Sequence, residues 1–248
     1  MFHLARWCMG LLAICFSLIV QAEDFEALKQ AAEQGNAQAQ FDLGVRYNSG
    51  QGVDRNDVEA ANWHHKAAEQ GHKDAQFVLG ALYAVGLGVA RDDAEAVKWS
   101  QKAAEQGHAI AQYNLGLRYI SGRGVAQNDA EAANWYRKAA EQGNAHAQNN
   151  LGRMYTRGQG VPRDDAEAAN WLRMAAEQGH MEAQFVLGAL YAEGRGVARD
   201  DAEAMKWYRK AAEQEHPEAQ EAFDALKKKQ PLKTRVMEWF RGLFRSAK

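Results

Sequence analysis

Cysteine is almost absent from this chain: of 248 residues only Cys8 and Cys15 carry a thiol, and both fall within the first 22. Beyond that point there is no material for a disulfide framework or for thiolate chemistry. Serine is scarce as well, limited after residue 22 to Ser49, Ser100, Ser121 and Ser246. No S-x-x-K, G-x-S-x-G or H-E-x-x-H motif occurs, which leaves nucleophilic and zinc-hydrolase catalysis without a recognisable base or ligand set. The apolar stretch from residue 8 to residue 20 is thirteen residues long, short of the roughly 20 that a spanning helix needs. With Arg6 before it and Val20-Gln21-Ala22 after it, residues 1–22 read as a cleaved export signal. Leu12-Ala13-Ile14-Cys15 lacks the small residue expected before a lipidated cysteine. The expectation is therefore a periplasmic or secreted protein.

The formal charge of −2 conceals an asymmetry. Residues 227–248 hold eight Lys or Arg against Glu238, a local +7, whereas residues 23–226 stand at −10 with 21 basic and 31 acidic side chains. Such a body is a poor surface for phosphate backbones, which excludes nucleic acid as its partner.

What the chain has in abundance is repetition. The stretch from 165 to 179, D-A-E-A-A-N-W-L-R-M-A-A-E-Q-G, returns every 36 residues: Trp171 has counterparts at Trp63, Trp99, Trp135 and Trp207, and Gly179 at Gly35, Gly71, Gly107 and Gly143. A fixed period of this length signifies helical pairs that must stack on copies of themselves to bury their apolar faces. The array reads as a half-repeat over 23–35, five full copies over 36–215 and a second half-repeat over 216–229, together one elongated unit. Residues 230–248 leave the pattern.

Within a copy, Ala39, Leu43 and Tyr47 recur at i, i+4 and i+8, one apolar stripe on a first helix, with Gly44 allowing a neighbouring helix to approach closely. A second helix carries Ala60, Trp63, Ala67 and Ala68 on one face. Its start is marked by Asn56 and Glu59, a capping box repeated at Asp92 and Glu95, Asn128 and Glu131, Asp164 and Glu167, and Asp200 and Glu203. Gly71 and its equivalents suit the left-handed residue after a helix end. Pro217 is expected at the first helical position of the last half-repeat. The Gly50-Gln51-Gly52-Val53 loop and its relatives follow a helix, not a strand, and read as turns, not phosphate cradles.

In the ordered elements A-Q-x-x-L-G-x-x-Y, G-x-G-V, D-x-E-A-x-x-W and A-A-E-Q-G, spanning about residues 24 to 226, the chain resembles the Sel1-like repeat family, itself similar to tetratricopeptide repeats. The resemblance implies an all-α fold, an α-solenoid of helix-turn-helix repeats wound as a right-handed superhelix, that binds proteins or peptides. Cysteine-rich relatives have been linked to β-lactam binding; this chain lacks their cysteines and any acylation motif, so that activity is not carried over. The resulting expectation is a non-enzymatic interaction scaffold of the cell envelope, without cofactor or metal and monomeric. An enzyme of cell-wall or β-lactam chemistry is the rival of another class.

Three features invite sharper readings. The tryptophan ladder suggests carbohydrate or cation binding, but Trp63 shares its face with Ala60 and Ala67 and reads as core. His72, His108, His180 and His216 hold one repeat position, replaced by Asn36 and Asn144 elsewhere. An intervening helix at 8–10 Å spacing separates them, too far to share a metal, which leaves a hydrogen-bonding role at helix starts. The outward face of the first helix, which lines the concave groove of tetratricopeptide-like arrays, varies between copies. On it the candidate partner-binding residues are Phe41, Val45, Phe77, Val78, Ala81, Ile110, Tyr113, Leu117, Arg153, Phe185 and Val186. An aromatic recurs in four of the five copies, ringed by small apolar residues, and the fourth copy is a polar break. The competing reading packs Phe41 and its equivalents between adjacent repeats.

In the tail, Val236, Trp239, Phe240, Leu243 and Phe244 fall at helical spacing with Lys233, Arg235, Arg241, Arg245 and Lys248 mostly opposite. This basic amphipathic helix reads either as a cap on the last repeat or as a peripheral membrane contact.

Overall fold

The computed structural model describes residues 24–229. The expected export signal and the basic helix bearing Val236, Trp239, Phe240, Leu243 and Phe244 lie outside the described residues.

The described residues form helices and turns only. Helix α1 covers residues 24–33. It is followed by α2 (Ala37–Ser49), α3 (Asp57–Glu69), α4 (Lys73–Val85), α5 (Asp93–Glu105), α6 (Ala109–Ser121), α7 (Asp129–Glu141), α8 (Ala145–Arg157), α9 (Asp165–Glu177), α10 (Met181–Glu193), α11 (Asp201–Glu213) and α12 (Ala219–Lys229). Even-numbered helices from α2 are the first helix of each copy, odd-numbered ones from α3 the second. This is the all-α solenoid arrangement. The chain divides into two compact units, one up to Gln127 and one from Asn128 onward. Because each helix packs chiefly on its sequence neighbours, compactness is a local property of such an array.

In the first unit each helix from α2 to α6 packs on the next, and in the second the same holds from α7 to α12. The stripe read from the sequence is the core in both. Leu43, Leu79 and Leu115 are fully buried in the first unit, and Leu151 and Leu187 in the second, each worth about 1.5–3 kcal/mol of burial. Trp63, Trp99, Trp135 and Trp207 are buried with the alanines of their helices. Lysine ammonium groups lie over these rings: Lys66 is 3.7 Å from the Trp63 centroid, Lys102 4.2 Å from Trp99, Lys138 4.0 Å from Trp135 and Lys210 4.5 Å from Trp207. These four tryptophans are therefore packing elements, as the sequence implies, while Trp171 of the fourth copy is half-buried.

Helix boundaries follow the expected chemistry with two corrections. Asn56 Oδ1 accepts from the Val58 and Glu59 amides at 3.1 Å, and Asp92, Asn128, Asp164 and Asp200 cap their helices the same way. The reciprocal half of the capping box is replaced, because the cap residue's own N–H is already used. Asn56 N–H donates to the Tyr47 carbonyl at 3.0 Å, and Asp92, Asp164 and Asp200 donate to Tyr83, Tyr155 and Tyr191. That bond ties the end of the loop back to the preceding helix. Pro217 sits in a turn, and α12 begins at Ala219. There the Ala219 amide reaches the His216 carbonyl at 3.3 Å, three residues back, a tightened first turn of the kind common at helix termini.

Candidate functional site

Five of the six histidine or asparagine positions before the first helices act as N-caps, and His216 bonds into the turn that precedes α12. His72, His108 and His180 accept through Nδ1 from the amides of Ala75, Ala111 and Ala183 at 3.2, 3.1 and 3.3 Å, and His216 from Glu218 at 3.3 Å. Asn36 and Asn144 do so through Oδ1 at 2.9 Å. The opposite nitrogen faces the preceding copy: His72 Nε2 meets Gln38 at 3.0 Å, His180 meets His146 at 3.1 Å and His216 meets Glu182 at 3.2 Å. A cap at Nδ1 requires the unprotonated ring. Burial holds the His108 and His180 pKa values below the usual histidine value, and His146 adds to the effect at His180. Among the described residues no group of three or more His, Cys, Asp or Glu is arranged to hold a metal ion.

These caps organise the partner face expected from the sequence. Phe41 stacks on His72 with centroids 4.7 Å apart, Phe77 on His108 at 4.4 Å and Phe185 on His216 at 4.2 Å. Each ring is half-buried, so one side packs on the next copy while the other faces outward. Phe41 also leans on His64, and Phe185 on Tyr208. Val186 packs on the Leu187 cluster and Val78 is half-buried, as is Tyr113. Arg153 is engaged by Glu182 at 2.9 Å. The exposed apolar members are Val45, Ala81, Ile110 and Leu117, with Ile110 at 51% and Leu117 at 39% exposure.

Three of the expected residues, Phe77, Ala81 and Leu117, come together in the first unit. They line a groove of about 310 Å³ with Gly80, Ala84 and Val85 of α4, Ser100 of α5, Asn114, Arg118 and Ser121 of α6, and Arg123 just beyond it. Beside it, Asp93 accepts from Arg118 at 2.6 Å and from Arg91 at 2.9 Å, with Arg123 at 3.5 Å. The Arg118 and Arg91 hydrogen bonds hold the Asp93 carboxyl down at about 2. One carboxylate thus faces three guanidinium groups.

Sequence reasoning missed Ser100, Arg118 and Arg123. The available signal was position 100 set against its equivalents His64, Tyr136, Leu172 and Tyr208, all buried where Ser100 is half-buried. It also missed His64, which is buried against Gly44, with Nε2 3.4 Å from the Asn48 amide and Nδ1 unpartnered. Burial, aided by the nearby His72, lowers its pKa to about 4.

The Sel1 repeat family model matches residues 37–72, 73–108, 109–144, 145–180 and 182–216. Comparison with the curated proteins gives no match. Among solved structures, the chain is 44% identical to c5321, a protective antigen present in uropathogenic Escherichia coli strains that displays an SLR fold, with a TM-score of 0.75. That likeness covers 80% of this chain and 43% of the other, so this chain spans less than half the length of that relative. It is 34% identical to a Sel1 repeat protein from Oxalobacter formigenes over 87% of this chain and 98% of the other, with a TM-score of 0.72.

Proposed function

The chain belongs to the Sel1 repeat family, and from that premise we propose that it is a non-enzymatic scaffold whose first-helix face receives a protein or peptide partner. Sel1 repeat proteins are generally protein-interaction scaffolds. The observation that carries the reading for this chain is the groove between α4 and α6, where Phe77, Ala81 and Leu117 stand together beside the exposed Val85. Apolar side chains left in contact with water at one continuous site are what a partner's side chains cover on binding. The mechanism is burial of partner side chains in the groove, with charge around its rim setting partner choice and on-rate.

We place this scaffold in the periplasm or outside the cell, reading residues 1–22 as an export signal.

The test is affinity capture with the intact chain and with an Ala81→Glu, Leu117→Glu variant. Both positions are exposed, so circular dichroism should leave helicity unchanged. Loss of one reproducible protein partner in the variant supports the reading. Equal capture by both chains overturns it.

A further inference from the structure

The second and fifth copies carry the same eight residues on their first helix: 77–84 and 185–192 both read F-V-L-G-A-L-Y-A. What faces that helix differs. In the fifth copy Tyr208 and Leu226 are buried in one cluster with Phe185, Ala189 and Ala192 packed against it, and the Phe185 and Tyr208 rings lie 5.5 Å apart. Against the second copy the same two positions are Ser100 and, from the copy that follows, Arg118. Ser100 Oγ sits against Gly80 where the Tyr208 ring sits against Gly188. The volume a tyrosine fills in one copy is open in the other, and it forms the floor of the groove.

The same exchange that opens the groove also charges its rim. Where Leu226 is buried after the fifth copy, the equivalent Arg118 after the second turns to Asp93, and Arg123 joins it with its side chain 53% exposed. Arg118 and Arg123 are the charged residues among those lining the groove. With Arg91 also on Asp93, the three cations exceed the one carboxylate that serves them. A guanidinium with unused donors next to an apolar floor recognises a carboxylate, which it can bind in a forked geometry.

We propose that the groove at Ser100 is an anchor pocket for a peptide segment of a partner protein that carries a large apolar side chain next to an acidic residue. The apolar side chain enters over Ser100 between Phe77 and Leu117, and the acidic residue meets Arg123 at the rim. At about 310 Å³, the pocket lies at the lower end of the ~300–1,000 Å³ seen for ligand sites, a size suited to one or two side chains. This inference rests on the scaffold reading and specifies what that scaffold selects.

The experiment selects binders from a displayed library of randomised ten-residue peptides on the full chain. Each selected peptide is then measured by fluorescence anisotropy against the intact protein, Ser100→Tyr and Arg123→Glu. Ser100→Tyr installs the side chain that the identical helix of the fifth copy already accommodates, so its melting temperature should hold or rise. The expected result is a set of peptides sharing a Leu, Phe, Tyr or Trp within two positions of Asp or Glu. Their affinity should fall about ten- to a hundredfold on Ser100→Tyr, the worth of one buried large side chain, and about tenfold on Arg123→Glu. Peptides that bind Ser100→Tyr undiminished, or that carry no acidic residue, overturn the anchor pocket while leaving groove binding elsewhere intact. If no peptide is enriched, the scaffold reading of this face falls with it.

Discussion

The side-chain amide of Gln106 donates to the side-chain oxygen of Gln76 at 2.7 Å, joining two residues thirty positions apart. Gln76 in turn donates to the Ala68 carbonyl at 3.1 Å, and Gln106 also reaches the Gly71 carbonyl at 3.0 Å. The motif recurs: Gln70 with Gln40, Gln178 with Gln148 and Gln214 with Gln184 are each 2.7 or 2.8 Å apart. The buried glutamine of each first helix thereby adds a second donor to a carbonyl at the end of the preceding second helix, which in the case of Ala68 also accepts from the Gly71 amide at 3.0 Å.

Truncating Gln76 tests this ladder. Gln76→Ala removes one of two donors to the Ala68 carbonyl and one of two acceptors of the Gln106 amide, and should cost about 0.5–1.5 kcal/mol in urea unfolding. A loss indistinguishable from zero would mean that water replaces the side chain freely.

Histidine burial sets a pH dependence of known sign. The His64 pKa is lowered from 6.5 to about 4 in the folded chain, and those of His108 and His180 are also lowered. The unfolded chain therefore binds more protons than the folded one below about pH 6.5. Stability is full above that pH and is lost as pH falls toward 4, with His64 accounting for a loss on the order of 3 kcal/mol. The equivalent residue of the fourth copy is the buried Leu172, packed against Gly152 as His64 is against Gly44. His64→Leu should thus flatten most of the decline between pH 6.5 and 4 in thermal melts. An unchanged slope would assign the acid sensitivity to the capping histidines instead.

Glu215 stands where the other copies have glycine, and it is the non-glycine residue with positive φ among the described residues, at 65°. The left-handed conformation costs an L side chain about 1–2 kcal/mol. Glu215→Gly should stabilise the end of α11 by about 1 kcal/mol, less the entropy that glycine adds to the unfolded chain. A fall in melting temperature would show that the Glu215 side chain contributes more than its backbone costs.

Much of this fold is legible in the sequence because the repeat prints each local rule five times. The Asn56-type caps, the alanine and tryptophan stripe and the close approach at Gly44 all follow from spacing and side-chain chemistry. The role of His72 and its equivalents follows from their exchange with Asn36 and Asn144. What spacing does not carry is competition between partners for one group. Tyr47 takes the Asn56 N–H that a capping box would give to Glu59, and Glu182 engages Arg153. The Phe41, Phe77 and Phe185 rings likewise divide between packing and exposure in a way that depends on the next copy's histidine. Ser100 was readable only by comparing one facing position across copies, because the pocket is made by what the residue lacks.

The central claim is that a partner lies over the first-helix face of the first unit. The most direct measurement places a photo-crosslinking amino acid at position 117 in one chain and at position 98 in another, and compares the adducts formed on illumination in intact cells. Leu117 lines the groove, whereas Lys98 is exposed on α5 and absent from its lining. The account predicts a discrete protein adduct from position 117 and none of that size from position 98. The same adduct from both positions, or from position 98 alone, would contradict it.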